Sequence, residues 1–233
     1  MKPSLLPIWL ALAFLLATAY GGYKYYQVQQ FQQNKSNAIA ERLPPIEEFE
    51  LATSEGGTFR SQEMLGKVWV TTFFFSTCPG SCTRLNANIK YMNSLEEIKD
   101  VTWLSISVDP VTDTIPVLAA YAERLNADPN QWVFARGELD YVKRIGNDFF
   151  NLPVIYKDHS DVAAVVDKNG RIAGLYNAVS TSDSKRMEKK LVELLAEPWT
   201  PSPAPEETTT EKETEEKTNE LNNEAATEQA TSE

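Results

Sequence analysis

Residues 67–75 read KVWVTTFFF, nearly all apolar or β-branched. Such a strand has no polar face to offer to water. It must be buried on both sides, which suggests a central strand in a sheet covered by helices. The neighbouring segments fit that layout. FELATSEGGTFRSQEML reads as a short strand, a turn at Gly56-Gly57 and a second strand. Downstream, TRLNANIKYMNSLEEI has Leu85, Ile89, Met92 and Leu95 at helical spacing, and VTWLSISVD (101–109) is another buried strand. TIPVLAAYAERLN predicts a helix, QWVFARG a short strand and DYVKRIGNDFF a helix. VAAVVDKNGRIAGLY predicts a hairpin turning at Asn169-Gly170, and SDSKRMEKKLVELLAE a final amphipathic helix capped by Ser182 or Ser184. Helices alternating with buried strands and ending in a hairpin give an α/β sandwich with a mixed sheet.

The two ends of the chain differ from this middle. Pro3 to Tyr23 carries no charge and is mostly apolar, which is about the ~20 residues a membrane helix needs. The same segment also reads as a signal peptide, with a small-residue cleavage site at 17–19. Either reading directs the chain to a membrane, with residues 1–24 as an anchor if it is retained. Residues 25–44 are Gln-rich and polar and close on Pro44-Pro45, as expected of a partly helical stalk. From 199 onward the chain is acidic. Residues 200–233 hold ten Glu and two Lys, which is −8 of the chain's −11, and one large apolar residue, Leu221. A segment of that composition cannot bury enough surface to offset its ordering entropy, so 199–233 is expected to be a disordered tail. The folded unit is then 45–198, a normal size for one core. With only −3 left for the other residues there is no basic field for nucleic acid, and none is expected as a partner.

The buried strand runs into the chain's only two cysteines, Cys78 and Cys82 in Cys-Pro-Gly-Ser-Cys. Proline is favoured at the first position of a helix, which predicts Cys78 at the N-cap and Cys82 one turn in. That spacing puts both sulfurs on one face, with Cβ atoms about 5–6 Å apart. A helix N-terminus favours thiolates and makes the pair reactive and competent for metal. A disulfide here would close a tiny loop and stabilise the fold little, so a redox or metal role suits the pair better than a staple. A metal site needs a third ligand, and the chain has one histidine, His159, 77 residues after Cys82 in a loop leading to the hairpin. Two thiolates and an imidazole suit Cu(I), Cu(II) or Zn(II), and the residues do not choose among them.

Taken together, Cys78-Pro79-Gly80-Ser81-Cys82, Asp158-His159-Ser160, Asp167-Lys168-Asn169-Gly170 and SISVDPVTDTIPVLAAYAERL resemble the Sco family over about residues 45–197. These are membrane-anchored copper proteins that help assemble cytochrome c oxidase. The chain departs from the family pattern at Thr83, at Thr112 and at the extra Ile115, none of which is a ligand position. The resemblance implies a thioredoxin-like α/β fold, with a mixed sheet flanked by helices and a retained N-terminal transmembrane helix. It implies a copper ion, Cu(I) or Cu(II), held by Cys78, Cys82 and His159 and passed to the copper-centre subunit of cytochrome c oxidase. Other copper chaperones or thiol reductants are the further partners it implies. Asp109 and Asp113 are expected near the site, either tuning it or simply forming an Asp-Pro turn. Residues 1–40 contain no arginine, unlike a mitochondrial presequence. The expected location is therefore a bacterial inner membrane, single-pass, with the domain on the periplasmic side.

The principal rival reading is a membrane-tethered thiol–disulfide oxidoreductase that uses Cys78 and Cys82 as its catalytic pair without metal. It leaves His159 idle. A peroxiredoxin-like peroxidase would want Thr and Pro three and seven residues before its cysteine, where this chain has Phe75 and Thr71. A third reading is a tethered interaction domain that binds through its acidic tail.

Overall fold

The computed structural model describes residues 6–40, 43–158 and 160–200. The expected acidic tail lies outside the described residues apart from its first two. Of these, Trp199 lays its ring over Gly66, where a Cβ would approach the ring to 3.2 Å.

A seven-stranded mixed sheet organises the domain, in the order β2-β1-β5-β4-β3-β6-β7. Its strands are β1 (Glu50–Thr53), β2 (Thr58–Arg60), β3 (Trp69–Phe74), β4 (Thr102–Ser107), β5 (Trp132–Arg136), β6 (Val162–Val166) and β7 (Ile172–Asn177). As the composition of KVWVTTFFF requires, β3 is central: it pairs parallel with β4 and antiparallel with β6, and all six of its residues are buried. Alternate side chains serve two cores. Val68, Val70 and Phe74 face one, with Trp103, Phe134 and Val165, while Trp69, Phe73 and Phe75 face the other, with Leu104, Ile106 and Val166.

Helices cover both faces. The β3–β4 and β4–β5 crossovers run through α2 (Ser81–Asn93) and α3 (Ile115–Leu125), which share the first core with α5 (Thr181–Ala196). After β5 the chain moves to the other face as α4 (Leu139–Arg144), runs on into a π turn at Ile145–Phe149, and supplies Val142, Ile145 and Phe150 to the second core. This turn depends on Gly146. A Cβ there would lie 2.3 Å from Val154 Cγ2 and 2.8 Å from the Leu152 carbonyl oxygen. Gly146→Ala is therefore expected to cost about 1–3 kcal/mol, because the clash is partly with backbone. Thermal unfolding reads this as a Tm several degrees lower, and an unchanged Tm would mean that segment 152–154 yields freely.

The hairpin forms as expected. Gly170 N–H donates to the Asp167 carbonyl, with Gly170 at φ +70°. The last helix begins earlier than expected. Its N-cap is Ser180, and Ser182 and Ser184 lie inside it, because the Asp183 carboxylate accepts the Asn177 N–H and pairs with Arg186, fixing the first turn.

At the N-terminus a single helix, α1 (Leu6–Ala40), spans the expected anchor and stalk without a break at 24/25. Its apolar run gives way at Tyr20-Gly21-Gly22 to a polar, Gln-rich continuation of the same helix. Among the described residues no helix is long and apolar enough to cross a membrane.

Candidate metal centre

The cysteine loop leaves the carboxyl end of β3, where the chain order of the strands reverses between β3 and β6. Ligand sites of open α/β sheets gather at such points. Phe75 to Cys78 form a turn closed by the Cys78 N–H on the Phe75 carbonyl (3.2 Å). The expected N-cap placement of Cys78 is not met. Gly80, at φ −135° and ψ −105°, is the N-cap, and Cys82 is the second residue of α2. Cys78 lies outside the helix because its own N–H is spent on that turn.

Both cysteines are free thiols. Cys82 is only 2% exposed within the first core, whereas Cys78 is partly buried and packs against both cores at the sheet's edge. The two are hydrogen-bonded, and their environments drive them apart. Burial alone would raise Cys78, but hydrogen bonds from the Gly80 backbone, the Cys82 side chain and the Cys82 backbone outweigh it and bring the thiol below its ordinary value. Burial and the hydrogen bond to Cys78 push Cys82 up to about 12. The result is one accessible, thiolate-prone sulfur beside one buried thiol, not the two equivalent thiolates that the helix N-terminus leads one to expect.

Asp109 and Asp113 sit beside this loop, both buried, on the segment that follows β4. Asp113 accepts from the Ser76 N–H (3.1 and 3.3 Å), from the Ser76 hydroxyl and from the Ser107 hydroxyl (2.5 Å). Asp109 turns the other way. It accepts the Thr112 N–H at 3.3 Å and pairs with Lys157 at 3.4 Å, and Arg136 holds the intervening Pro110 carbonyl at 2.8 Å. The expected choice between tuning and turn geometry thus resolves by residue. Asp113 reaches the cysteine loop, and Asp109 ties the 109–113 segment to the 152–158 segment. Ser76 and Ser107 escaped the sequence reading, since nothing local marks either serine as the partner of Asp113, 37 residues on from Ser76 and six from Ser107.

Burial raises the Asp109 carboxyl, but hydrogen bonds from Thr112, Lys157 and Tyr156 outweigh this and hold it below the usual carboxylate range. A lowered folded-state pKa adds stability above the unfolded-state value of about 4 and loses it as pH falls through the folded value. Asp109→Asn is therefore expected to lower stability at neutral pH by about 1–3 kcal/mol. The gap from the parent should narrow below about pH 4. Denaturant melts at pH 7 and pH 3.5 check this, and a gap that widens in acid contradicts it.

His159 lies outside the described residues. Among the described residues no three His, Cys, Asp or Glu side chains are grouped to hold a metal ion. The segment after His159 does approach the pair, because the Asp161 charge raises both thiols. The pairing of Thr71 with Ala164 also starts β6 beside the end of β3 from which the cysteine loop departs.

This arrangement has relatives. A family model described as SCO1/SenC matches residues 38–196. The chain belongs to the SCO1/SenC family. Among SCO1/SenC proteins, a SCO2-like protein of Rickettsia felis is 29% identical over 135 residues, covering 53% of this chain and 65% of the relative. The chain thus spans just under two thirds of that relative's length. Yeast Sco1, solved with copper bound, is 25% identical at a TM-score of 0.55, over 67% of this chain and 95% of that one. BsSco, a Sco family cytochrome c oxidase assembly protein in which a disulfide switch was identified, has a TM-score of 0.56 at 22% identity. That match covers 66% of this chain and 96% of BsSco and carries the fold alone. The thioredoxin-like mixed α/β fold expected from the sequence is that of these Sco proteins.

Proposed function

We propose that this chain is a copper metallochaperone that takes one copper ion as cargo on Cys78, Cys82 and His159. The observation that carries this reading is the pair of free thiols, one buried and one partly exposed, just past the carboxyl end of β3, beside which β6, the strand after the single histidine, begins. The donor set suits the metal. Two thiolates leave Cu(I) a net local charge of −1 and Cu(II) a net of zero, and soft sulfur favours Cu(I) while imidazole serves either state. Forming the Cys78–Cys82 disulfide removes two thiolate donors at once. The two electrons pass to a partner disulfide, which becomes a dithiol, so cargo release and thiol exchange are coupled.

Membership of the family, and what BsSco is, support the copper-centre subunit of cytochrome c oxidase as recipient, with other copper chaperones or thiol reductants as suppliers. For attachment, we assign the apolar segment 3–23 as a single membrane anchor that holds the domain on the periplasmic face of an inner membrane. In its described part Trp9, Leu10, Phe14, Leu15 and Leu16 stand 64–70% exposed, apolar surface that calls for a cover.

The asymmetry of the thiols favours a second reading, a metal-free thiol–disulfide oxidoreductase with Cys78 as the attacking sulfur. His159→Ala separates the two. Copper affinity is expected to collapse while disulfide exchange with glutathione persists. Unchanged copper affinity in that variant would remove His159 from the ligand set, and a parent chain with no tight copper but ready disulfide exchange would move the assignment to the oxidoreductase.

A further inference from the structure

We infer that Asp113 is a positioning residue for the cysteine pair, acting through Ser76 and setting the balance between dithiol and disulfide. This rests on the reading of Cys78 and Cys82 as a pair that cycles. The carboxylate is wholly buried. Such a group is costly unless its oxygens are satisfied, and here, among the described residues, two serines satisfy them. Ser107 ends β4, a rigid central strand, and its hydroxyl donates to Oδ2. Ser76 lies two residues before Cys78 and gives the carboxylate both its backbone N–H and its hydroxyl. Asp113 is itself fixed from behind, its N–H donating to the Asp109 carbonyl at 2.8 Å just ahead of α3. The chain of contacts thus runs from β4 through the carboxylate to the first turn of the cysteine loop.

The geometry gives this clamp a specific effect. Cys82 is held by the core and by α2, so any change in the distance between the sulfurs must come from the loop carrying Cys78. Before the Cys78 side chain that loop is pinned by the Cys78 N–H on the Phe75 carbonyl and by Ser76 on Asp113. A disulfide demands sulfurs about 2.05 Å apart and Cβ atoms about 3.5–4.5 Å apart, whereas here both sulfurs are free, so the Cys78 sulfur must move to meet Cys82. Closing it must therefore pull on the turn that Asp113 grips. The clamp holds the loop in the thiol-bearing arrangement, and releasing it favours the disulfide.

The test is equilibration of the full chain, without metal, against reduced and oxidised glutathione. Two protein thiols give up two electrons and two protons, and one glutathione disulfide becomes two glutathiones. Asp113→Asn and Ser76→Ala are each expected to shift the equilibrium constant tenfold or more towards the protein disulfide, about 30 mV for this two-electron couple. Ser76→Thr, which restores the hydroxyl, is expected to return most of the shift. Val70→Ala removes buried methyls from the same strand without touching the loop. It should lower Tm yet leave the constant within about twofold. If Asp113→Asn fails to fold, Ser76→Ala carries the test alone. A Ser76→Ala constant no further from the parent than that of Val70→Ala would overturn the proposal. A parent chain that forms no intrachain disulfide in any glutathione ratio would overturn it too, but by removing the cycling pair itself, a result distinguishable from loss of the clamp.

Discussion

A Cys78→Ser chain is expected to bind no stoichiometric copper, where the parent binds one ion per chain. The exchange replaces a soft, thiolate-prone sulfur with a hydroxyl that stays protonated at neutral pH and is a poor ligand for either copper state. Cys78 is the half that matters most for loading. It is the more exposed sulfur, and hydrogen bonds from the Gly80 and Cys82 backbone favour its charged form. Cys82→Ser should also lose the metal, and it should leave Cys78 the more reactive towards alkylating agents because nothing remains to form the internal disulfide. The fold should survive both changes, since neither sulfur is bonded to the other in the reduced chain. Equilibrium dialysis with copper quantified per chain measures the outcome. Tight 1:1 binding retained in Cys78→Ser would sink the ligand assignment.

The largest stability effect is expected at Phe150. Its ring lies against Phe49 at 6.2 Å, Trp69 at 5.9 Å and Phe73 at 6.2 Å, meeting all three edge to face, and the residue is wholly buried. Edge-to-face pairs add to plain burial, and the surrounding rings are too rigid to collapse into the gap. Phe150→Ala should cost about 3–5 kcal/mol in denaturant unfolding. Its position couples this loss to the site. Phe150 lies two residues before the 152–158 segment, which Lys157 ties to Asp109 and which leads to His159. A cost below about 1 kcal/mol would show that the second core repacks freely.

How much of this was legible in the sequence can be told from particular residues. KVWVTTFFF placed β3 at the centre of the sheet because a strand without a polar face has one physical solution. The helix of Leu85, Ile89 and Met92 followed from spacing alone, and all three are buried, but α2 ends at Asn93 and leaves Leu95, the fourth residue of that spacing, outside it and partly buried. The two thiols were visible as a pair because the chain has no others. Their inequality was not. It arises from how deeply α2 docks Cys82 into the first core while Cys78 stays on a turn outside the helix, a matter of tertiary packing. The Asp113–Ser76 contact was hidden for a related reason, since it joins two loops that only the parallel pairing of β3 with β4 brings side by side. Residues 6–40 show that a change of composition need not break the backbone. The apolar and Gln-rich segments share one helix, because glutamine is a good helix former, and α1 continues through the change as a partly helical stalk allows.

The central claim, that Cys78, Cys82 and His159 hold one copper ion, is tested most directly by titrating the fully reduced full-length chain with Cu(II) and recording copper per chain and the visible spectrum together. The account predicts one copper per chain with a strong thiolate-to-copper charge-transfer band that disappears in His159→Ala. A chain that takes up no tight copper, while its disulfide cycles readily with glutathione, would contradict it.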